Sequence, residues 1–171
     1  MSETETALDP ALFRKAMGSF ATGVTVIGVL DGEHAHGMTA NAFMSGSADP
    51  PLCVVSVNKL ARTHALLLKA GGFGVSILAE SQVAIAAHFA GKPNSRERRG
   101  FERLDGAPVV RNCCVAIAAS KAAALDCGDH TLFVGRIRAL EVSERAPLIY
   151  HRGAFRAFSD KVAKAPEPEI W

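Results

Sequence analysis

Segments rich in apolar and β-branched residues recur along the whole chain, and the stretches between them leave room only for short helices. Val24 to Leu30 is such a run; it ends in Asp31-Gly32, a hairpin signal, and the chain returns through His34 to Phe43. Leu52 to Val57 is almost wholly apolar, so both faces of that strand need cover. Phe73 to Leu78 follows, then Val109 to Ala119 and Thr131 to Val142, with Asp126 to His130 turning between the last two. In Thr131 to Val142 a period of two puts Phe133, Gly135, Ile137 and Ala139 on one face and Arg136 and Arg138 on the other. A short hairpin around Arg152-Gly153 joins Leu148-Ile149-Tyr150 to Ala154-Phe155. Six or so strands with short helices inserted predict a mainly β fold, a closed or split antiparallel barrel and not a doubly wound sheet.

The helices are signalled by their ends. Asp9 as N-cap, Pro10 in the first turn and Gly18 past the end bracket Leu12, Phe13, Ala16 and Met17. Ala61 to Lys69 is a second helix, closed by Gly71-Gly72. Ser81 to Ala90 is a third, with Ser81 as N-cap and Gly91 just past its end. A Gly-x-Gly-x-x-Gly nucleotide fingerprint is absent; Gly71-Gly72-Phe73-Gly74 comes nearest and precedes a strand where the fingerprint follows one.

A chain of 171 residues supports one domain with a genuine core, here residues 9–158, followed by a poorly ordered tail over 159–171 rich in Lys, Pro and Glu. With 49% hydrophobic residues, and apolar strands at Val24 to Leu30 and Leu52 to Val57, there is more surface to bury than one small barrel covers, so a homodimer is expected. A net charge of +2, one Tyr and one Trp argue against nucleic acid as a partner. The apolar runs are too short to span a membrane and the start, Met1-Ser2-Glu3-Thr4-Glu5, is acidic, which predicts a cytoplasmic protein. Cys53, Cys113, Cys114 and Cys127 have no metal-binding or redox spacing and read as small, buried, reduced hydrophobes. None of the six histidines falls in a His-Glu-x-x-His pattern, and no protein-bound metal is expected.

Chemistry concentrates in a few short segments. Gly37-Met38-Thr39-Ala40-Asn41-Ala42-Phe43 is mostly small residues with one amide, which lets backbone donors come close to a flat ring such as a flavin; an ordinary strand start has the same look. Ser56, Asn58, Arg62 and Thr63 bring hydroxyls, an amide and a guanidinium to a helix N-terminus, the equipment for a phosphate. Phe89 is either a core residue of its helix or a ring contact, with Ala90, Gly91 and Lys92 after it. Gly128-Asp129-His130 can be a plain turn. Lys92 to Arg103, basic and nearly without apolar residues, reads as a solvated loop or as a basic flap beside an anionic dinucleotide.

Taken together, and in this order, Phe13-Arg14, Ala21-Thr22-Gly23-Val24-Thr25-Val26, Gly37 to Phe43, Pro50-Pro51, Ser56-Val57-Asn58 with Arg62-Thr63, His88-Phe89-Ala90-Gly91, Gly128-Asp129-His130 and Pro147-Leu148-Ile149-Tyr150 resemble the flavin reductase-like family. The resemblance runs from about Phe13 to Phe155. It implies an FMN-binding split β-barrel, a Greek-key antiparallel barrel, in a homodimer. The implied activity is NAD(P)H:flavin oxidoreduction, with FMN or FAD reduced by NADH or NADPH and handed to a flavin-dependent monooxygenase component.

By the same resemblance Thr39, Ala40 and Asn41 lie along the isoalloxazine edge, and Ser56, Val57, Asn58, Arg62 and Thr63 take the flavin phosphate side. Phe89, Gly91 and Lys92 border the flavin, with Lys92 serving its phosphate or the nicotinamide dinucleotide. His130 hydrogen-bonds the dinucleotide, and Asp129 fixes the loop or the histidine tautomer. Ala118-Ala119 stands where similar proteins often carry Glu-Cys, and Cys113-Cys114 inherits no role. Two other functions fit the same residues: a reductase that keeps its FMN and reduces another acceptor such as a corrinoid, and a flavin-binding module without turnover.

Overall fold

The fold is that of a computed structural model, which describes residues 8–92 and 100–158. The expected tail over 159–171 and most of the basic segment, residues 93–99, lie outside them.

In chain order the elements are α1 (Pro10–Met17), β1 (Thr22–Gly23), β2 (Thr25–Asp31), β3 (His34–Ala40), β4 (Phe43–Ala48), β5 (Pro51–Asn58), α2 (Arg62–Lys69), β6 (Gly72–Ile77), a 3-10 turn (Glu80–Gln82), α3 (Val83–Phe89), β7 (Phe101–Leu104), β8 (Ala107–Val110), β9 (Val115–Cys127), β10 (His130–Val142), β11 (Ile149–His151) and β12 (Ala154–Arg156). Among the described residues, seven strands form one antiparallel sheet in the order β3-β2-β6-β9-β10-β5-β4. Its two edge strands, β3 and β4, are consecutive in sequence and unpaired with each other. The sheet is nonetheless rolled: Ile27 and Val29 from one side, Val55 and Val57 from the other, and Phe73, Val75, Ala119 and Phe133 between them meet in one core. Leu67 of α2 enters the same core one turn after Thr63, so α2 plugs the interior. The barrel is split, as its sequence predicts, and the split falls at the Asn41-Ala42 corner.

A second core covers the other face of β2 with Val24, Val26, Leu78, Ala86, Val110 and Leu148. Thr25 to Val29 are therefore buried on both faces, which accounts for the unbroken apolar run. That corrects one expectation: Val24 to Leu30 is covered within the protomer through Val29 and leaves no surplus for a partner. On β5, by contrast, Cys53, Val55 and Val57 are buried while Leu52, Val54 and Ser56 between them stay partly exposed.

The β7–β8 hairpin lies across the outside of β2 and β6. It fits because Gly28 and Gly74, neighbours in the β2–β6 register, have no Cβ where the Pro108 carbonyl comes down onto the sheet. The Ser76 hydroxyl accepts from the buried Val110 amide at 2.8 Å and pins the hairpin at its end. The loop expected over Lys92 to Arg103 is thus partly wrong: Phe101 to Arg103 are strand, paired with Val110, Val109 and Pro108.

Further corrections are local. Val109 to Ala119 is not one strand; β8 ends at Val110, Asn112 takes a φ of 56°, and β9 starts at Val115. β4 carries no clear sequence signal because it is an edge strand of small residues with a bulge, Ser45 pairing with Cys53 and Ser47 with Leu52. Ser81 does not cap α3; it sits inside the 3-10 turn, and Gln82 accepts from the Ala79 amide at 2.9 Å while donating to the Arg111 carbonyl at 2.8 Å. Asp9 does cap α1, accepting from the Ala11 amide at 2.9 Å. Cys127 is exposed and not buried; Cys53, Cys113 and Cys114 are buried free thiols, with burial pushing Cys53 up to about 11.

Candidate functional site

The corner at the split is built from main chain. The Phe43 amide donates to the Asn41 carbonyl and the Ser56 amide to the Ala42 carbonyl, each at 3.0 Å, so the chain turns from β3 onto β4 and β5 without a loop. Thr39 spends its hydroxyl on the Ala86 carbonyl at 2.7 Å, which fastens α3 to β3, and the Ala40 carbonyl accepts from the Thr25 hydroxyl at 2.7 Å. Asn41 is left exposed, with its side chain at the corner.

Two clefts flank this corner. One, of about 210 Å³, lies between Thr39, Ala40 and Asn41 on one wall and Ala90, Tyr150 and Phe155 on the other. The second, of about 480 Å³, runs along His36, Gly37, His88, Phe89, Gly91 and Phe101. The end of α3 is the ridge between them, and Gly91 turns the chain there with a φ of 92°. Phe89 packs against the second core and on Phe101, with ring centroids 5.1 Å apart, and it also lines the larger cleft. A Cβ on Gly37 would come within 2.7 Å of Phe101 and 2.9 Å of Phe89, which is why this position in the motif is glycine. Lys92 is exposed just beyond, its amide bonded to the Ala87 carbonyl at 3.1 Å.

The segment from Ser56 to Thr63 does not converge as a single cluster. Ser56 lies on the face of β5 opposite the core, whereas the Val57 side chain is fully inside it and leaves only its main chain for any ligand. The Asn58 carboxamide oxygen accepts from the Leu60 amide at 2.8 Å. Arg62 is exposed and holds the Asp31 carboxylate at 2.8 Å; Thr63 is buried, with its hydroxyl 3.1 Å from His36 Nε2. Arg62 and Thr63 thus belong with Asp31 and His36 of the β2–β3 hairpin, a partnership no sequence spacing signals.

Burial, and then the Arg62 charge, hold His36 below the ordinary histidine value of 6.5, against an opposing pull from Asp31. A depressed histidine binds protons less readily folded than unfolded. Its contribution to stability is complete above 6.5 and is lost as pH falls through the lowered folded value. Replacing His36 by Gln should therefore flatten the decline in unfolding free energy as pH falls below 6.5, measured by urea denaturation at a series of pH values. An unchanged pH slope would place the titration elsewhere.

At the far end of β5 the Gly128-Asp129 turn joins β9 to β10, with Gly128 at a φ of 62°. His130 Nδ1 is 2.7 Å from the Asp129 carboxylate, and that hydrogen bond holds Asp129 below the usual carboxylate value. In register His130 stands opposite Asn58, so the turn and the Ser56–Thr63 segment are neighbours. Lys59, which the motif pattern passes over, donates to the Gly128 carbonyl at 2.6 Å and pairs with Asp126. His64 Nε2 is 2.9 Å from the Thr131 hydroxyl. Tyr150 and Phe155 likewise carry no signal of a site role in their sequence, and only the fold brings them into one cleft with Asn41.

A split antiparallel barrel whose open corner is lined by small residues, with a carboxylate-held histidine on an adjoining turn, defines a flavin-binding split-barrel class. Residues 17–159 match the flavin reductase like domain, and the chain belongs to that family. It is 40% identical over 164 residues to an NADH-dependent flavin reductase of a Rhodococcus species, covering 92% of this chain and 93% of the relative. It is 39% identical over 145 residues to the reductase component of 4-hydroxyphenylacetate 3-monooxygenase of Thermus thermophilus, covering 84% and 93%. The NADH:FAD oxidoreductase SgcE6 of Streptomyces globisporus, solved with NAD and FAD fragments, superposes with a TM-score of 0.82 at 31% identity over 92% of this chain and 99% of that one.

Proposed function

We propose that the protein is an NADH-dependent flavin reductase that reduces FMN or FAD and supplies the reduced flavin to a separate monooxygenase. The observation that carries this is the placement of Thr39 to Asn41 across a cleft from the end of α3, in a chain 40% identical over nearly its whole length to an NADH-dependent flavin reductase. The residues present fit a flavin: Ala40 and Ala90 leave space for a flat ring, Tyr150 and Phe155 give it an apolar wall, and Asn41 offers an amide at its edge.

The hydride passes from nicotinamide C4 to flavin N5, chemistry that resides in those two molecules. The protein's work is binding and orientation. Asn41 and the adjoining main chain take the polar edge of the ring, where negative charge grows on reduction. Arg62 takes the phosphate, with Ser56, Asn58 and the Val57 main chain on that side, while buried Thr63 acts only by holding His36. Phe89, Gly91 and Lys92 border the ring from α3. His130, fixed by Asp129, holds the nicotinamide against the flavin. His130→Ala should leave flavin affinity unchanged and slow anaerobic hydride transfer, or raise the NADH KM, about tenfold, the size of an orienting contact of roughly 1.4 kcal/mol. Wild-type kinetics in that variant would make Gly128-Asp129-His130 a plain turn.

The domain spans residues 9–158 and works as a homodimer in the cytoplasm. Among the described residues no helix is long and apolar enough to cross a membrane. Support for the dimer is an unburied apolar surface. None of α1 is buried; Leu12, Phe13 and Met17, with Phe20 after it, all stand in solvent. On the outer face of the sheet Met44, Val54 and Val134 line up in register, with the Leu132–Leu125 pair beside them. Light scattering at micromolar concentration should give twice the chain mass, and a fully active monomer would contradict the assignment.

Oxidation of NADH and NADPH against FMN, FAD and riboflavin tests the function. Turnover with free flavin in excess of the enzyme is expected. Tight FMN retention with faster reduction of a corrinoid would favour a flavin-retaining reductase, and no oxidation with any flavin would favour a binding module.

A further inference from the structure

We propose that Lys59 is a positioning residue for hydride transfer: it sets the Gly128-Asp129 turn and thereby aims His130 at the nicotinamide. This rests on the role proposed above for His130. The turn joins two strands of 13 residues each, and the Asp129 side chain is 84% exposed, so little packing defines it. Lys59 grips it twice. Its amide donates to the Asp129 carbonyl at 2.9 Å and its ammonium to the Gly128 carbonyl at 2.6 Å, so consecutive carbonyls of the turn are held by one residue.

The neighbours of Lys59 complete the frame. Asn58 stands opposite His130 in register, and His64 reaches the Thr131 hydroxyl at 2.9 Å, so the positions before, at and after His130 are all fixed from the β5–α2 segment. The imidazole is then oriented by Asp129 at 2.7 Å. The ion pair between Lys59 and Asp126 adds little, since the Asp126 side chain is 78% exposed. The ammonium faces the turn and not Arg62, although Lys59 sits three residues from it in sequence. Lys59 therefore acts on the nicotinamide side from inside the segment that serves the flavin.

The test compares wild type with Lys59→Met, Lys59→Arg, His130→Ala and the double variant Lys59→Met/His130→Ala. Hydride transfer from NADH is followed by anaerobic stopped flow, and the dissociation constants of FMN and riboflavin by fluorescence. Lys59→Met should raise the NADH KM or slow hydride transfer about three- to tenfold, the range for one lost hydrogen bond, with both flavin constants unchanged. Lys59→Arg, which can still donate to the Gly128 carbonyl, should recover most of the loss. In the double variant Lys59→Met should add nothing to His130→Ala, because both act through one contact. Weaker FMN binding with riboflavin spared would place Lys59 on the phosphate and overturn the proposal, as would full multiplication of the two losses or wild-type kinetics in Lys59→Met. If Lys59→Met slows transfer while His130→Ala does not, the His130 role fails and the proposed route falls with it, whereas NADH oxidation by the wild type leaves the reductase assignment standing.

Discussion

Gly74→Ala is expected to cost about 1–3 kcal/mol of unfolding free energy, although it adds a single methyl group. The new Cβ would press on the Pro108 carbonyl, which is main chain and cannot rotate away. Either the β7–β8 hairpin lifts or β6 shifts, and the Ser76 hydroxyl bond to the Val110 amide is strained with it. Gly28 meets the same carbonyl and should behave in the same way. Because Phe101 of β7 packs on Phe89 at the end of α3, where Ala90 lines the cleft assigned to the ring, lifting the hairpin should also weaken flavin binding. Urea denaturation gives the first effect and fluorescence titration with FMN the second; a variant as stable as wild type would mean that the hairpin does not bear on these glycines.

Arg62→Ala should weaken FMN and FAD by about 1.5–3 kcal/mol and leave riboflavin untouched, since a charge-assisted bond to phosphate is what riboflavin cannot make. The structure adds a condition. The guanidinium pairs with Asp31 while its side chain stays 70% exposed, and a pair that open to water is weakly held and readily exchanged for a phosphate. Asp31→Asn should therefore not weaken FMN. Equal weakening of all three flavins by Arg62→Ala would remove Arg62 from the phosphate side.

Much of this fold is legible where burial follows sequence period. β10 alternates as written, whereas the unbroken apolar run of β2, read as surface for a partner, is buried on both faces within the protomer. Capping residues mark α1, and Gly91 marks the end of α3. What the sequence conceals is decided by neighbours. Ser120 to Leu125, with three Ala, one Lys and one Leu, has the composition of a helix, yet it is strand because β10 pairs with it through Leu132–Leu125 and Gly135–Lys121. β4 is hidden by its bulge, and β7–β8 by charged residues on its exposed side.

The site divides in the same way. Asn41 at the β3–β4 corner, Phe89 at the end of α3 and His130 at the start of β10 fall in local turns and element ends that short sequence motifs can mark. The partners Asp31 to Arg62, His36 to Thr63 and Lys59 to the Gly128 turn join segments 27 to 69 residues apart, and only strand order brings them together.

Anaerobic mixing of the protein and FMN with NADH tests the proposed chemistry most directly, because it isolates the hydride step from oxygen and from any partner. Full bleaching of the flavin is expected, one FMN reduced per NADH consumed, at a rate that saturates with NADH and far exceeds the reaction without protein. Flavin that remains oxidised while bound to the protein in excess NADH would contradict the assignment of this chain as a flavin reductase.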